Sequence, residues 1–143
     1  MFARAISLVL AATSASAQAP SAPQPAPSPE QSRAKAVEDL VTANRILADL
    51  GVLDGYGHVS IRVPGDPKHF LLARSVAPEL VTAADIVEHD LEGNASAPPG
   101  TQLFGERFIH AAVYAARPDV QAVVHNHAPS LIPFGVMSTL TCG

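Results

Sequence analysis

The stretch GERFIHAAVYAARPDVQAVVHNHAPS, residues 105–130, decides the fold. Its first half predicts a helix from Phe104 to Ala116, because the residue before Pro118 avoids helical backbone angles. Its second half, from Val120 to His127, is mostly apolar and predicts a strand buried on both faces. A helix that leads directly into a strand is typical of an α/β domain, in which helices pack on one sheet.

The elements before this stretch fit the same class. Ser28 as N-cap and Pro29 at the first helical position predict the start of a long helix, and Gly51 predicts its end. The segment GHVSIRV, residues 57–63, alternates apolar and polar side chains, which is strand spacing. The predicted elements are a helix over 29–50, a hairpin with strands over 57–63 and 69–73, a helical turn over 82–85 and a strand over 86–91.

The chain start predicts export. Residues 1–17 have Arg4, a short apolar run and an A-x-A cleavage pattern before Gln18, as in a secretory signal peptide. Residues 18–29 form a Pro-rich linker, and residues 30–143 form the domain. We therefore expect a periplasmic or secreted protein, with a cytoplasmic protein as the alternative if the start is misassigned.

Composition excludes several partner classes. The net charge is -4 and there is no basic run, so nucleic acid is not an expected partner. The single cysteine, Cys142, excludes an internal disulfide and a cysteine-based zinc site. The apolar run of the leader is too short to span a bilayer, so no membrane partner is expected after leader cleavage. A small-molecule substrate is the expected partner.

Three residues suggest a metal centre. His125 and His127 stand two apart on the predicted strand, so both imidazoles point to one face and can bind one divalent ion. Glu106, at the start of the preceding helix, can serve as a ligand or a proton carrier. The alternative is a partly exposed strand end with two polar residues. His110 is interpreted as a core histidine hydrogen-bonded to backbone, with a place in the site as the alternative.

Residues 105–130, together with GYGHVSIR at 55–62, resemble the class II aldolase/adducin family. The resemblance covers about residues 33–138, and the glutamate, the helix, Arg117-Pro118-Asp119 and the H-x-H motif follow in the family's order. It implies an α/β fold, a class II aldolase-like three-layer domain with a central, mainly antiparallel sheet. Members include aldolases, an epimerase, decarboxylases and the non-catalytic adducin head.

By this resemblance, His125 and His127 bind one divalent metal ion, zinc or alternatively manganese. Glu106 coordinates the ion and moves protons. The resemblance implies a metal-dependent carbon-carbon lyase of the aldolase or decarboxylase type, assembled as a homotetramer. The alternatives are a non-catalytic, adducin-like binding module and an inactive fragment.

Departures from the family pattern bear on the substrate. Where phosphate-handling members have Gly-Asn and a Thr/Gly-rich turn, this chain has His58 and Arg74-Ser75. We expect His58, Arg74 and Ser75 to bind a small hydroxylated, non-phosphorylated carboxylate or carbonyl substrate, as in the decarboxylase-like branch. For Arg74, a surface charge is the alternative.

The third histidine ligand of the family, on a later strand, has no counterpart here. The family domain is also about half as long again as residues 30–143. We therefore interpret the chain as a truncated domain: a gene fragment, a sequence with a frameshifted tail from Met137 onward, or an incomplete sequence. In any of these cases the sheet would expose an unpaired edge.

The leader assignment gives a direct prediction. When the chain is expressed in a bacterium, signal peptidase should cleave it between Ala17 and Gln18, because small residues occupy both recognition positions. Mass spectrometry of the N-terminus checks this, and Ala15→Asp should block the cleavage. An intact N-terminus beginning at Met1 in the cytoplasmic fraction would contradict the assignment.

Overall fold

The structure is a computed structural model, and it describes residues 25–133. The predicted signal peptide, linker residues 18–24, the tail from Met137 and Cys142 lie outside the described residues. Linker residues 25–28 are exposed and belong to no helix or strand. Among the described residues, no helix has the length and apolarity needed to cross a membrane.

A five-stranded sheet lies between two helices in the described part of the chain. The strand order is β4-β3-β2-β1-β5, and every neighbouring pair is antiparallel. This confirms the predicted α/β three-layer arrangement with a mainly antiparallel sheet. The elements are α1 (Pro29–Asp49), β1 (His58–Val63), β2 (Asp66–Ala73), β3 (Ile86–Asp90), β4 (Ala95–Ser96), α2 (Arg107–Ala116) and β5 (Ala122–His125), with 3₁₀ turns at Pro78–Leu80 and Ala83–Asp85.

The first helix, α1, begins with the predicted capping box. The Ser28 hydroxyl accepts from the Gln31 N–H at 3.2 Å, and the Gln31 side chain accepts from the Ser28 N–H at 2.8 Å. Gly51, with φ at 67°, ends the helix region. Burial of large apolar side chains, about 1.5–3 kcal/mol each, holds the helix on the sheet. The first core consists of Ala36, Leu40, Leu53, Val59 and Leu71.

The strand β1 is buried on both faces, although one face is polar. Val59 faces the first core, as the alternation predicts. On the opposite face His58, Ser60 and Arg62 are only 1%, 0% and 6% exposed, because α2 covers them. We call these three side chains the polar face of β1. Buried polar groups cost free energy unless they are hydrogen-bonded, so α2 must supply partners.

Arg62 fixes the end of α2 and the link to β5. Its Nε donates to the Val120 carbonyl at 3.0 Å. Its Nη2 donates to the carbonyls of Tyr114 and Arg117 at 3.1 and 3.2 Å, and Nη1 donates to the Pro67 carbonyl. A cation among the last carbonyls of a helix is also favoured by the helix dipole.

The start of α2 rests on the turn between β3 and β4. Arg107 Nε donates to the Gly93 carbonyl at 2.9 Å, and a Cβ at Gly93 would lie 2.5 Å from the Phe108 ring. The helix begins at Arg107, with Glu106 as N-cap, and not at Phe104 as predicted. The reason is that the Phe104 ring is buried in the preceding segment, packed against the sheet.

The expectation that a strand from Val120 to His127 is buried on both faces is wrong, and because β5 ends at His125, His127 lies beyond the strand. In β5, Ala122 and Val124 are exposed, and only Val123 packs against the second core of Phe70, Leu72, Ala111 and Tyr114. Among the described residues β5 pairs only with β1, so it lies at the edge of the sheet. Within residues 25–133 the helix α1 packs over β1 and β2, and Val124 on the outer face of β5 is 43% exposed.

The role of Arg62 gives a stability prediction. Arg62→Met should lower the free energy of unfolding by at least about 2 kcal/mol, because it leaves several buried carbonyls without a donor. Urea denaturation of the full chain measures this. The matched control is Arg33→Met, which removes a half-exposed ion pair with Glu88 and should cost less than about 1 kcal/mol. Equal losses of unfolding free energy in the two variants would show that the buried hydrogen bonds of Arg62 do not stabilise the fold.

Candidate metal centre

Side chains from β1, β5 and the start of α2 converge at one point. His58 and His125 are opposite each other in the antiparallel register, and their rings stack at 4.9 Å. Glu106 lies between them: one carboxylate oxygen is 3.3 Å from His58 Nε2 and the other is 3.3 Å from His125 Nε2. Donor atoms of these three residues all lie within 4.8 Å of one another.

His127 adjoins this group without belonging to it. Its Nε2 is 3.1 Å from His125 Nε2, and the two rings are nearly perpendicular, at 85°. The structure thus brings the predicted residues His125 and Glu106 together, and places His127 next to His125. Because Glu106 is 44% exposed, its side chain has room to rotate toward His127.

Asp54 fixes the proton position on His127. Nδ1 of His127 lies 3.1 and 3.3 Å from the two Asp54 oxygens, and a carboxylate only accepts, so Nδ1 carries the hydrogen. Although desolvation acts to raise it, hydrogen bonds from Tyr56, His127 and Gly57 hold the pKa of Asp54 below its ordinary value. In a neutral His127 ring Nε2 is then bare, as a metal ligand requires.

The distances fit a small divalent ion. A tetrahedral site with metal–nitrogen bonds of 2.0–2.1 Å places neighbouring ligand atoms about 3.3 Å apart. The His125–His127 contact at 3.1 Å and the His125–Glu106 contact at 3.3 Å match two edges of such a shell. As placed, the three residues whose donor atoms lie within 4.8 Å of one another are His58, Glu106 and His125. His125, His127 and Glu106 could hold one ion once the Glu106 carboxylate turns toward His127.

Behind His58, a line of hydrogen bonds runs into the core. Nδ1 of His58 is 2.8 Å from His110 Nε2, and His110 Nδ1 is 2.6 Å from the Ser60 hydroxyl. That hydroxyl is 2.8 Å from the Tyr114 hydroxyl. We call these four residues the buried polar chain. His110 is buried, as predicted, but its partners are side chains rather than backbone.

Burial keeps the two histidines of the buried polar chain neutral. Desolvation lowers the pKa of His58 below its ordinary value, against the opposing effect of Glu106. Desolvation lowers the pKa of His110 to about 3, and the nearby His58 and His125 act in the same direction. At neutral pH both rings therefore have one protonated and one bare nitrogen.

The residues predicted to bind substrate are divided between two places. Ser75 and Glu106 line a cleft of 180 Å³, and His58 faces Glu106. Arg74 is not among the lining residues, because its Nε donates to Asp85 at 2.7 Å. The cleft is lined by Gly55, Tyr56, Ser75, Val76, Ala77, Phe104 and Glu106.

Three contributors to this region were not predicted from sequence: Asp54, Ser60 as the partner of His110, and Tyr114 as the partner of Ser60. The position of Asp54 directly before the glycine-rich turn that leads into β1 was an available signal. Ser60 shares a strand face with His58, and Tyr114 follows His110 by one helical turn, so both lay on predicted faces.

Comparison with known proteins finds relatives of this chain. Residues 38–141 match the family described as Class II Aldolase and Adducin N-terminal domain. The chain is 38% identical over 105 residues to "Decarboxylase tropJ" of Talaromyces stipitatus, covering 70% of this chain and 38% of that protein. It is 34% identical over 111 residues to "3,4-dihydroxyphthalate decarboxylase" of Arthrobacter keyseri, covering 71% of this chain and 44% of the relative.

A solved structure shows the same fold. The L-fuculose 1-phosphate aldolase of Glaciozyma antarctica PI12 superposes with a TM-score of 0.65 at 32% identity. The match covers 75% of this chain and 45% of the aldolase. The chain therefore spans less than half the length of each of these three relatives.

Neutral His110 gives a pH prediction. As pH falls from 6.5 toward 3, the unfolded chain gains a proton that folded His110 does not take up. The free energy of unfolding should therefore decrease on acidification, by up to about 1.4 kcal/mol per pH unit for each such proton.

Urea denaturation at a series of pH values, with a chelator present, measures this slope. His110→Gln removes the titrating group. The free energy of unfolding should then fall less steeply with decreasing pH, by nearly the contribution of one proton. A slope that is the same in the variant and the wild type would contradict the assignment.

Proposed function

Because the chain belongs to the class II aldolase and adducin family, we propose that its protein is a divalent-metal-dependent carbon-carbon lyase of the aldolase or decarboxylase type. The observation that carries this proposal is the convergence of Glu106 and His125 at 3.3 Å, with His127 beside them. A purely structural module has no need for two imidazoles and a carboxylate gathered in one place. The contact between Asp54 and His127 supports the same role.

His125, His127 and Glu106 would hold the ion, zinc or alternatively manganese. When bound, such an ion supplies Lewis-acid stabilisation of negative charge on the substrate. Asp54 keeps the proton of His127 on Nδ1 and so leaves Nε2 free for the ion. Glu106, held at the helix start and contacted by His58, would accept or donate a proton at its carboxylate.

The substrate we propose is a small hydroxylated, non-phosphorylated carboxylate. The cleft beside Glu106 has a volume of only 180 Å³, which suits a small molecule. Ser75 in its lining and His58 behind Glu106 are the proposed contacts, while Arg74 is engaged by Asp85. The two decarboxylase relatives favour loss of carbon dioxide over aldol cleavage.

Location and assembly belong to the same proposal. With residues 1–17 as a leader, the protein works in the periplasm or outside the cell; with a later start it works in the cytoplasm. The assembly we propose is the homotetramer that the family resemblance implies.

The metal centre is tested first. Isothermal titration of the full chain with zinc should give one ion per chain, and His125→Ala should abolish binding. Asp54→Asn should weaken binding by about 10–100-fold, because it no longer fixes the tautomer of His127. The control is His69→Ala, since His69 pairs with Asp66 outside the site. Binding that His125→Ala leaves unchanged would contradict the site.

Catalysis is tested on the metal-loaded chain. Carbon dioxide release from a panel of hydroxylated aromatic carboxylates should be detected for the wild type. Glu106→Gln should lower the rate by about 100-fold or more, because it removes the proton carrier. His69→Ala should keep the wild-type rate. A chain that binds its ion but releases no carbon dioxide and cleaves no aldol would favour the adducin-like alternative.

A further inference from the structure

We propose that Tyr114, Ser60 and His110 are positioning residues that hold His58 in one tautomer, with Nε2–H directed at the candidate metal centre. In this tautomer His58 is a neutral hydrogen-bond donor to an anionic oxygen of the substrate, and it is not a metal ligand. The inference rests on the proposed function, because the anionic oxygen is that of the proposed substrate carboxylate.

The direction of the buried polar chain follows from its Glu106 end. An ionised carboxylate only accepts, so the contact of 3.3 Å to His58 Nε2 requires the hydrogen on that nitrogen. His58 Nδ1 is then bare and accepts from His110 Nε2–H at 2.8 Å. His110 Nδ1 is in turn bare and accepts from the Ser60 hydroxyl at 2.6 Å.

The Tyr114 end requires the same direction independently. Within the described residues, the Tyr114 hydroxyl contacts the Ser60 hydroxyl at 2.8 Å, and the backbone N–H of Val123 can only donate to it. If the order were reversed, Ser60 would donate to Tyr114, and the buried Tyr114 hydrogen would have no acceptor. In the forward order Tyr114 donates to Ser60, Ser60 donates to His110, and every hydrogen is used.

Burial makes this order rigid. All four side chains are at most 1% exposed, so water does not compete for their hydrogen bonds. A buried donor without an acceptor is costly, and a single reversed link would create one. Tyr114, at the far end of the buried polar chain, is also buried. The role of the buried polar chain is therefore to orient His58 and not to conduct protons from solvent.

His58 and His127 therefore differ although both face the same centre. Asp54 accepts from Nδ1 of His127 and leaves its Nε2 bare, which suits a metal ligand. The buried polar chain donates to Nδ1 of His58 and leaves its Nε2 protonated, which excludes metal coordination in that state. The site thus combines one nitrogen of His127 that Asp54 leaves bare with one N–H of His58 that the buried polar chain holds in place. In the metal-free state His125 Nε2 lies 3.3 Å from Glu106, so its hydrogen must leave that nitrogen when an ion binds.

The first test is ¹⁵N NMR of the full chain labelled at histidine nitrogens, at neutral pH with a chelator. The expected pattern for His58, assigned with His58→Gln, is a protonated Nε2 and a bare Nδ1. Ser60→Ala should let His110 and His58 populate both tautomers, while Ser75→Ala, at an exposed serine, should not. Wild-type His58 with its hydrogen on Nδ1, or with both tautomers equally populated, overturns the inference.

The second test uses phthalate as the probe on the zinc-saturated chain. His110→Leu removes the donor to His58 and should weaken phthalate binding by about tenfold or more. His110→Gln is the conservative variant, since its amide can donate to His58 and accept from Ser60; it should stay within about threefold of wild type. Zinc affinity should be unchanged in both. If His110→Leu does not fold, Ser60→Ala replaces it in the same comparison.

The outcomes separate the two proposals. If the wild-type chain does not bind zinc, the proposed function is rejected. The NMR result on the metal-free chain still decides the tautomer of His58. The expected tautomer together with phthalate binding that His110→Leu and Ser60→Ala leave unchanged would overturn the role of His58 as donor. Zinc affinity that falls with His110→Leu would overturn the exclusion of His58 from the metal shell.

Discussion

Burial of the polar face of β1 is the constraint on which the rest of the structure depends. His58, Ser60 and Arg62 lie under α2, where water cannot satisfy them, so the helix must do so. Its last carbonyls receive Arg62, and its buried face carries the partners of Ser60 and His58. With the end and the middle of α2 fixed in this way, its N-cap residue Glu106 lies beside His58.

The candidate site is thus continuous with the core. The antiparallel register of β1 with β5 sets His125 opposite His58, and the turn before β1 brings Asp54 to His127. Asp54 places the hydrogen of His127 on Nδ1, whereas His110 places the hydrogen of His58 on Nε2. The two rings therefore have opposite tautomers. Since these contacts come from packed elements, the site does not need a substrate to organise its donors and ligands.

Local patterns in the sequence predicted what local physics determines. The capping box of α1, the alternation of β1 and the hairpin to β2 are all present. The burial of β5 was wrong because it depends on which elements lie beside the strand. The contacts Asp54–His127 and Ser60–Tyr114 join residues 73 and 54 positions apart, so no local spacing reveals them. The Asp85 partner of Arg74 likewise comes from tertiary packing.

A crystal structure of the full chain soaked with zinc, with anomalous scattering recorded at the zinc edge, would locate the ion and its ligands. We expect one anomalous peak about 2.0–2.2 Å from Nε2 of His125, Nε2 of His127 and a Glu106 oxygen. Asp54 should contact His127 Nδ1, and His58 Nε2 should lie beyond bonding distance of the ion. A peak coordinated by His58 in place of His127, or no peak between these side chains, would show that His125, His127 and Glu106 do not form the metal site.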